Sequence, residues 1–332
     1  MTTLTTPTHG VPHRTASTVL GLVPAAVALA ATVALAAAWR DDLPDPVATH
    51  FGPDGADGYT ALAPFVGLAV ALFGVLAAGA WLLAVHSGRD AMTRRIATGL
   101  ASGIGVFGAA LTTGTLAVQR GLDDAAAAPD IDSVILVALL CGLTVGALCA
   151  WATPGDPHQP VTDTGPLDGP RIALGEHERA AWTGRVVSRV ALALGGGAAV
   201  VVTGVVVVWH IPALIVLVAV LVALVLTSAV IVVAVDARGL TARSALGWPR
   251  FHVPLDEVVS VRVRQVRPLR EFGGWGFRTT LGGTVGYVVR TGEAIEVARS
   301  NGRSFVVTVD DAATGAALLT TLADRARRRP GS

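Results

Sequence analysis

The sequence predicts a helical membrane protein with a C-terminal α+β domain, and three observations support this fold class. Only 15% of the 332 residues are charged and 52% are apolar, whereas about a quarter of an average soluble domain is charged. Six uncharged runs each approach the roughly 20 residues that cross a bilayer. After residue 235 the continuous apolar runs give way to alternating apolar and polar residues, which is typical of half-buried strands.

The six predicted transmembrane helices cover residues 18–39, 61–85, 96–118, 134–153, 190–209 and 211–235. The first run is too long for the apolar core of a signal peptide, so it is assigned to a membrane helix. Residues 18–153 are therefore predicted as a four-helix membrane domain with a loop at 40–60. Residues 190–235 are predicted as a transmembrane hairpin, because Trp209 and Pro212 suit a tight turn at the headgroups. A re-entrant pair remains open, although each arm is long enough to cross.

The distribution of arginine predicts the orientation, since cytoplasmic loops carry the excess of positive charge. With the N terminus inside, the internal segments contain Arg14, Arg89, Arg94, Arg95, Arg171, Arg179, Arg185 and Arg189, and the external loops contain Arg40 and Arg120. Both termini are thus predicted to be cytoplasmic in a multi-pass plasma-membrane protein. Residues 1–17 form a cytoplasmic tail, and residues 154–189 form a linker that includes an interfacial helix at 174–188.

The segment 236–332 is predicted to form a cytoplasmic domain, an antiparallel sheet or partial barrel closed by one helix. Alternating residues at 259–266 and 304–309 predict strands, 287–290 and 294–297 predict a hairpin, and Asn301-Gly302 predicts a turn. The closing helix is predicted at 312–328, with Asp310 or Asp311 as its cap. The domain has 15 arginines against nine carboxylates, so anionic surroundings suit it.

The external loop at 40–60 is the densest candidate site. It contains Asp45, His50, Phe51, Asp54 and Asp57 among several prolines and glycines, which favour one defined shape. Imidazole and carboxylates are ordinary metal ligands, yet their spacing matches no metal motif, and no metal or cofactor is predicted. A cap that binds a partner or peptide and a purely structural loop both remain open.

The same loop carries a resemblance to a known family. Leu43-Pro44, Pro46, Thr49-His50-Phe51, Gly55 and Asp57-Gly58 resemble the signature of a bacterial membrane family of unknown function, whose domain forms the N-terminal part of Sdp-type immunity and signalling proteins. The resemblance covers about residues 15–85. It implies a secreted peptide as an external partner and a cytoplasmic protein as an internal one. The soluble C-terminal domain departs from that architecture, so no partner-binding residue is carried over.

The C-terminal domain resembles bacterial pleckstrin-homology-like (PH-like) domains through its strand series, the segment 253–258 and the closing helix. That resemblance implies contact with lipid or protein and no reaction. Candidate contact residues are Arg270, Trp275 and Arg278 in a glycine-rich segment, and Arg325, Arg327, Arg328 and Arg329 at the C terminus. The alternatives are that Trp275 packs into the core and that the terminal arginines only complement the helix dipole.

No catalytic arrangement is legible in the sequence. His177-Glu178 lacks the second histidine of a zinc-protease helix, and neither a phosphate-binding loop nor a DNA-recognition helix is present, so no nucleic-acid partner is expected. The predicted function is an integral membrane binding or regulatory protein that contacts anionic lipid or a protein, and not an enzyme. The alternative is a transporter or permeability factor, suggested by Thr112, Thr113, Thr115, Thr227 and Ser228.

Overall fold

The structure is a computed structural model, and it describes residues 10–52, 55–162, 165–175, 177–209, 214–280 and 283–328. The chain divides into two compact units. The first unit comprises Gly10–Asp156 and Val202–Val218. The second unit comprises Pro157–Val201 and the chain from Ala219 onward.

Five helices are long and apolar enough to cross a membrane. They are α1 (Arg14–Ala38), α2 (Leu62–Ser87), α3 (Ala91–Ala117), α4 (Asp132–Ala152) and α5 (Arg189–Trp209). The next helix, α6 (Leu214–Ala229), is equally apolar but has 16 residues. These helices agree with an integral membrane protein and with the first five predicted transmembrane helices.

Helix α3 is the centre of the first unit, because it packs against α1, α2 and α4. Its contact with α4 is made by glycines: a Cβ atom on Gly142 would lie 2.8 Å from the Gly103 carbonyl oxygen, and one on Gly146 would lie 2.8 Å from the Gly99 carbonyl oxygen. Small residues allow such close helix approach in a membrane, where apolar surface alone gives no drive to associate.

Between α1 and α2 the chain forms a hairpin of β1 (Val47–Gly52) and β2 (Gly55–Thr60). This hairpin occupies most of the loop that the sequence predicts to have one defined shape. Its register shifts near His50, so the two strands are irregularly paired there.

The second unit contains two sheets and a closing helix. One sheet has four antiparallel strands in the order β3 (Trp182–Val187), β4 (Val230–Asp236), β5 (Gly239–Ser244) and β6 (Arg250–Pro254). The other has five strands, in spatial order β7 (Val258–Val266), β10 (Gly292–Arg299), β11 (Ser304–Thr308), β9 (Val285–Val288) and β8 (Gly276–Thr279). Two helices complete the unit: α7 (Pro268–Phe272) and α8 (Ala312–Arg328).

Both sheets and α8 contribute to one apolar core. Fully buried members include Ile231 and Leu240 from the four-stranded sheet, Ile295 and Phe305 from the five-stranded sheet, and Leu319 from α8. The two sheets, α7 and α8 therefore form one folding unit with its own core, and we call this unit the sheet domain.

The predicted last transmembrane helix is wrong at residues 230–235, which form β4 in the middle of the four-stranded sheet. Ile231, Val233 and Val235 are fully buried in the core, so their apolar character serves the sheet domain. The described part of the helical hairpin thus ends at Ala229. The segment 210–213, where the predicted hairpin turns, lies outside the described residues.

The predicted interfacial helix at 174–188 is also wrong, since residues 182–187 form β3 and pair with β4 along its whole length. The Trp182 ring packs on Gly315 of α8, where a Cβ atom would lie 2.8 Å from the ring. This tryptophan therefore covers the core of the sheet domain and is not a membrane anchor.

The predicted hairpin and the predicted antiparallel pairing of the sheet differ from the structure, whereas the predicted turn and closing helix are confirmed. Strands β9 and β10 do not form the predicted hairpin, because β11 lies between them and pairs in parallel with β9. The Asn301-Gly302 turn does connect β10 to β11. Helix α8 has the predicted bounds, and the Asp311 carboxylate accepts a hydrogen bond from the Thr314 hydroxyl at 2.7 Å in its first turn.

Candidate functional site

The β1–β2 hairpin is held in place by one buried side chain. Gln119, just after α3, accepts the Ala48 N–H at 2.7 Å and donates to the Ala48 carbonyl at 2.9 Å. Both residues are completely buried. Because two backbone groups that could not reach water are satisfied by the same amide, the hairpin is fixed to the end of α3.

A small hydrophobic cluster packs against the same hairpin. Ala48, Ala125 and Ala128 are buried together, and Phe51, Ala56 and Leu122 pack against them. Phe51 is therefore a packing residue between the hairpin and the α3–α4 connection, and it is only partly exposed.

The exposed side of the hairpin carries a contact between two polar side chains. His50 Nδ1 contacts Asp57 Oδ1, and the two side chains are 73% and 57% exposed. Asp45 is exposed on the approach to β1, and Asp54 lies outside the described residues. Among the described residues no three His, Cys, Asp or Glu side chains are placed to hold a metal ion. The hairpin thus presents an exposed polar pair on its surface.

The glycine-rich segment 269–278 combines packed and exposed side chains. Phe272 is buried in a small core with Val266 and Val288, while Trp275 is half-buried. Arg270 and Arg278 are exposed, and neither makes an ion pair within the described part of the chain. The structure therefore leaves these two predicted contact residues accessible.

The C-terminal arginines have other partners. Arg325 donates to the carbonyls of Leu174 and Gly175 at 2.8 Å each, and Arg327 donates to those of Gly165 and Val258 at 2.8 and 2.6 Å. Arg325 and Arg327 therefore bind the linker and β7 and are not free cations. Arg328 is exposed, and Arg329 lies outside the described residues.

We call residues 157–181 the strap, and further charged groups hold its described residues on the sheet domain. Asp324 of α8 accepts the Leu167 N–H and the Arg171 Nε–H, both at 2.9 Å. A cleft of about 480 Å³ opens beside the strap and is lined by Pro160, Val161, Pro166, Asp168, Ser260 and Arg327. Its cation, Arg327, is already bonded to two carbonyl oxygens, so the cleft is a by-product of strap packing.

A buried ion pair joins the strap to the core. The Glu257 and Arg299 side chains are 3% and 6% exposed, and Arg299 Nη2 lies 2.6 Å from Glu257 Oε2. The other oxygen of Glu257 accepts the Gln159 N–H of the strap at 3.0 Å. This carboxylate thus ties β10 and the strap together.

The outer face of the four-stranded sheet holds candidate residues that the sequence analysis does not single out. Arg243 and Arg250 are direct cross-strand neighbours there, and both are exposed. The signal available in the sequence was the turn between them, residues 244–249, which places Leu246 and Trp248 between two arginines. The sheet to which this turn belongs is not apparent from the sequence, because most of β4 lies in a run predicted to cross the membrane.

No protein-family model, curated protein or solved structure matches this chain. The resemblances of the first loop and of the C-terminal domain therefore stay predictions. Any functional assignment rests on the geometry of the residues described above.

Proposed function

We propose that the chain is an integral membrane binding or regulatory protein, and not an enzyme, whose sheet domain contacts anionic lipid or a cytoplasmic protein at the membrane surface. The observation that carries the proposal is how the sheet domain joins the helices. Only Ser188 separates β3 from α5, and no residue separates α6 from β4. The Ser188 N–H donates to the Ala229 carbonyl at 2.7 Å, so the two junctions are bonded to each other.

The two ends of the first unit support a cytoplasmic position for both termini. The end with the hairpin carries Asp41, Asp42 and Asp57. At the other end Arg94 is completely buried and donates to the Pro154 and Gly155 carbonyls after α4 at 2.9 and 3.1 Å. Arg89, Arg94 and Arg95 lie at this end, against Arg40 and Arg120 at the hairpin end, and this excess of arginine agrees with the positive-inside rule.

The accessible surface that suits a partner is the α7–β8 segment. Leu269 is 61% exposed, and the exposed Arg270 and Arg278, which lie near it in sequence, make no ion pair with any described residue. Arginine is enriched at protein interfaces and among the residues that dominate their binding energy, so the two arginines make this segment suitable for a partner. The PH-like resemblance supports the same use, because such domains are binding scaffolds.

Photo-crosslinking of the full chain in native membranes tests this proposal. A benzophenone amino acid at position 270 is expected to form adducts with lipid or with one discrete protein, and Arg278→Glu is expected to reduce their yield. The matched control is the same label at Arg238, whose side chain is 76% exposed on the β4–β5 turn. Equal adduct yields at positions 270 and 238 would contradict a binding surface on the α7–β8 segment.

The external hairpin extends the proposal to a second ligand. Its exposed His50–Asp57 pair and its resemblance to the immunity-type loop support a secreted peptide as the external partner. His50→Ala together with Asp57→Ala is expected to abolish protection or signalling without loss of the folded protein. If that variant still protects or signals as well as the unmodified protein, the hairpin has only a structural role.

The alternative function, transport, gains no support from the hydroxyl groups that suggested it. Thr112 and Thr115 donate to carbonyls one turn earlier in α3, and Thr113 pairs with Thr32 of α1 at 2.9 Å. These bonds serve the helices themselves and their packing. We therefore do not advance a transport pathway.

A further inference from the structure

One end of the four-stranded sheet is joined directly to α5 and α6. Val187 is the last residue of β3, Val230 is the first residue of β4, and the two are paired. Val230 directly follows α6, and Ser188 alone separates Val187 from α5, which is long and apolar enough to cross a membrane. We call this end of the sheet the membrane edge.

The turn between β5 and β6 lies at the membrane edge, because the Ala245 N–H donates to the Val230 carbonyl at 3.0 Å. The turn is held in one shape by Ser244, whose hydroxyl donates to the Trp248 carbonyl at 2.5 Å. It presents Leu246 and Trp248, which are 57% and 51% exposed. Two large apolar side chains thus project from a rigid turn beside the helix junctions.

Next to the membrane edge, three arginines line the outer face of the sheet. Arg185 pairs with Val232, Val232 with Arg243, and Arg243 with Arg250, so one cross-strand row carries all three. Directly paired residues project from the same face, and all three arginines are exposed. Arg189, the first residue of α5, adds a fourth. Within the described residues none of the four makes an ion pair.

The character of this face changes steadily along the strands. Val187, nearest the membrane, is exposed and apolar; the arginine row follows; the next row contains Thr241 and His252, bonded at 2.9 Å. At the far turn Asp236 and Arg238 neutralise each other at 2.7 Å. Unpaired positive charge is thus concentrated in the row closest to the membrane edge.

We infer that the membrane edge docks on anionic lipid headgroups of the bilayer that α5 crosses. Arg185, Arg189, Arg243 and Arg250 bind the phosphates, and Leu246 and Trp248 enter the interface below them. The inference rests on the proposed function in one respect: the sheet domain must lie at the bilayer surface.

The distances along the strand agree with this placement. The arginine row lies two residues from the membrane edge, about 7 Å at the usual rise of a strand. The headgroup region is about 5–7 Å thick on each side of the hydrocarbon core. The guanidinium groups therefore reach the depth of the phosphates, where a cytoplasmic protein would first have to displace lipid.

The side chains also have the chemistry that the interface requires. Guanidinium groups match phosphate oxygens with two parallel hydrogen bonds. Tryptophan is enriched at the boundary between headgroups and hydrocarbon. A positive residue in the first turn of a helix is disfavoured by the helix dipole, and a phosphate beside Arg189 would offset that cost.

The test places an environment-sensitive fluorophore on the full chain in bilayer nanodiscs. The native cysteines are Cys141 and Cys149; both are replaced by alanine, and one cysteine is introduced at position 246 or, as a control, at position 238. Lipids with a nitroxide near the headgroup are expected to quench the label at 246 strongly and the label at 238 hardly at all. Equal quenching at the two positions would overturn the inference.

Charge reversals test the arginine row with the label kept at 246. In bilayers that contain phosphatidylglycerol, Arg243→Glu and Arg250→Glu are each expected to lower the ratio of docked to undocked label by at least about fivefold. The matched control is Arg262→Glu, an exposed β7 residue whose described ion-pair contact, with Asp168, is 3.5 Å long. Free inorganic phosphate is expected to leave docking unchanged.

The outcomes separate this inference from the proposed function. Loss of docking at position 246 on charge reversal, with crosslinking at position 270 retained, supports the membrane edge as the lipid contact. Equal effects of Arg243→Glu and Arg262→Glu in folded protein would overturn it, as would full displacement by inorganic phosphate. Failure of crosslinking at position 270 alone would count only against the α7–β8 surface.

Discussion

Breaking the buried Glu257–Arg299 ion pair is expected to destabilise the sheet domain severely. The change is Arg299→Met, which keeps an unbranched apolar side chain near the Phe251 ring, 5.5 Å from the guanidinium carbon. It leaves the Glu257 carboxylate buried with the Gln159 N–H as its remaining described side-chain contact. Removing one partner of a buried pair costs about 3–5 kcal/mol, because the other charge stays uncompensated.

The second step of the experiment restores neutrality. In the double variant Glu257→Gln/Arg299→Met the buried charge is gone, and the glutamine oxygen can still accept the Gln159 N–H. Replacing both ions removes the desolvation penalty as well as the attraction. The double variant is therefore expected to recover at least about half of the lost stability, so the two substitutions are strongly non-additive.

Hydrogen exchange of the full chain measures this effect, because amide protection reports the opening free energy of each segment. A loss of 3–5 kcal/mol corresponds to roughly 150- to 5,000-fold faster exchange in β7 and β10. Peptides from α3 and α4 serve as an internal control. Exchange accelerated less than about tenfold by Arg299→Met, or a double variant no better than the single one, would refute the reasoning.

Three further predictions concern other parts of the chain. Gln119→Leu leaves two buried backbone groups of the hairpin unsatisfied and is expected to cost about 2 kcal/mol or more, measured as faster hydrogen exchange in β1. Gly142→Val places side-chain atoms against the Gly103 backbone. It is expected to lower the free energy of unfolding of the helical unit by about 1–3 kcal/mol, measured by thermal denaturation. Burial and the nearby Arg250 lower the pKa of His252 in the folded protein. As the pH falls, His252 is therefore protonated in the unfolded chain before it is protonated in the folded protein. The stability of the folded protein is expected to be constant above about pH 6.5 and to decline below it.

Each of these predictions has a matched control. Gly79→Ala is expected to be tolerated, because a Cβ atom there meets nothing within 4 Å. His252→Asn keeps a partner for the Thr241 hydroxyl and is expected to flatten the pH dependence. The charges of Asp236, Arg238 and Glu257 also act on the pKa of His252, and this variant leaves them in place. Gln119→Glu can accept but not donate and is expected to be intermediate. Destabilisation by Gly79→Ala equal to that by Gly142→Val, or an unchanged pH profile in His252→Asn, would contradict the assigned causes.

The five long apolar helices were predictable from the sequence, because their length and lack of charge can be seen without reference to tertiary structure. The boundary at Ala229 was not predictable in this way. Residues 211–235 form one uncharged run, and a fully buried strand has the same continuous apolar pattern as a helix. Strand β3 is not predictable for a related reason: its partner β4 lies within an apolar run that resembles a membrane helix.

The candidate sites were predictable only as far as the residues act locally. The hairpin was correctly expected to have a defined shape, because prolines and glycines restrict their own backbone. Arg325 and Arg327 make most of their hydrogen bonds to the strap, about 150 residues or more away in the chain. No local pattern distinguishes an arginine that binds a distant carbonyl from one that is free.

The direct junctions of the sheet domain with α5 and α6 also affect how strong its surface contacts need to be. A separate domain must lose translational freedom each time it binds, whereas a domain joined to its target without a linker is held there at a high effective concentration. Contacts of about 1 kcal/mol per arginine, too weak to recruit a free protein, are then enough to orient the domain. A fragment that begins at Asp236 would lose this advantage and would also lack β3 and almost all of β4.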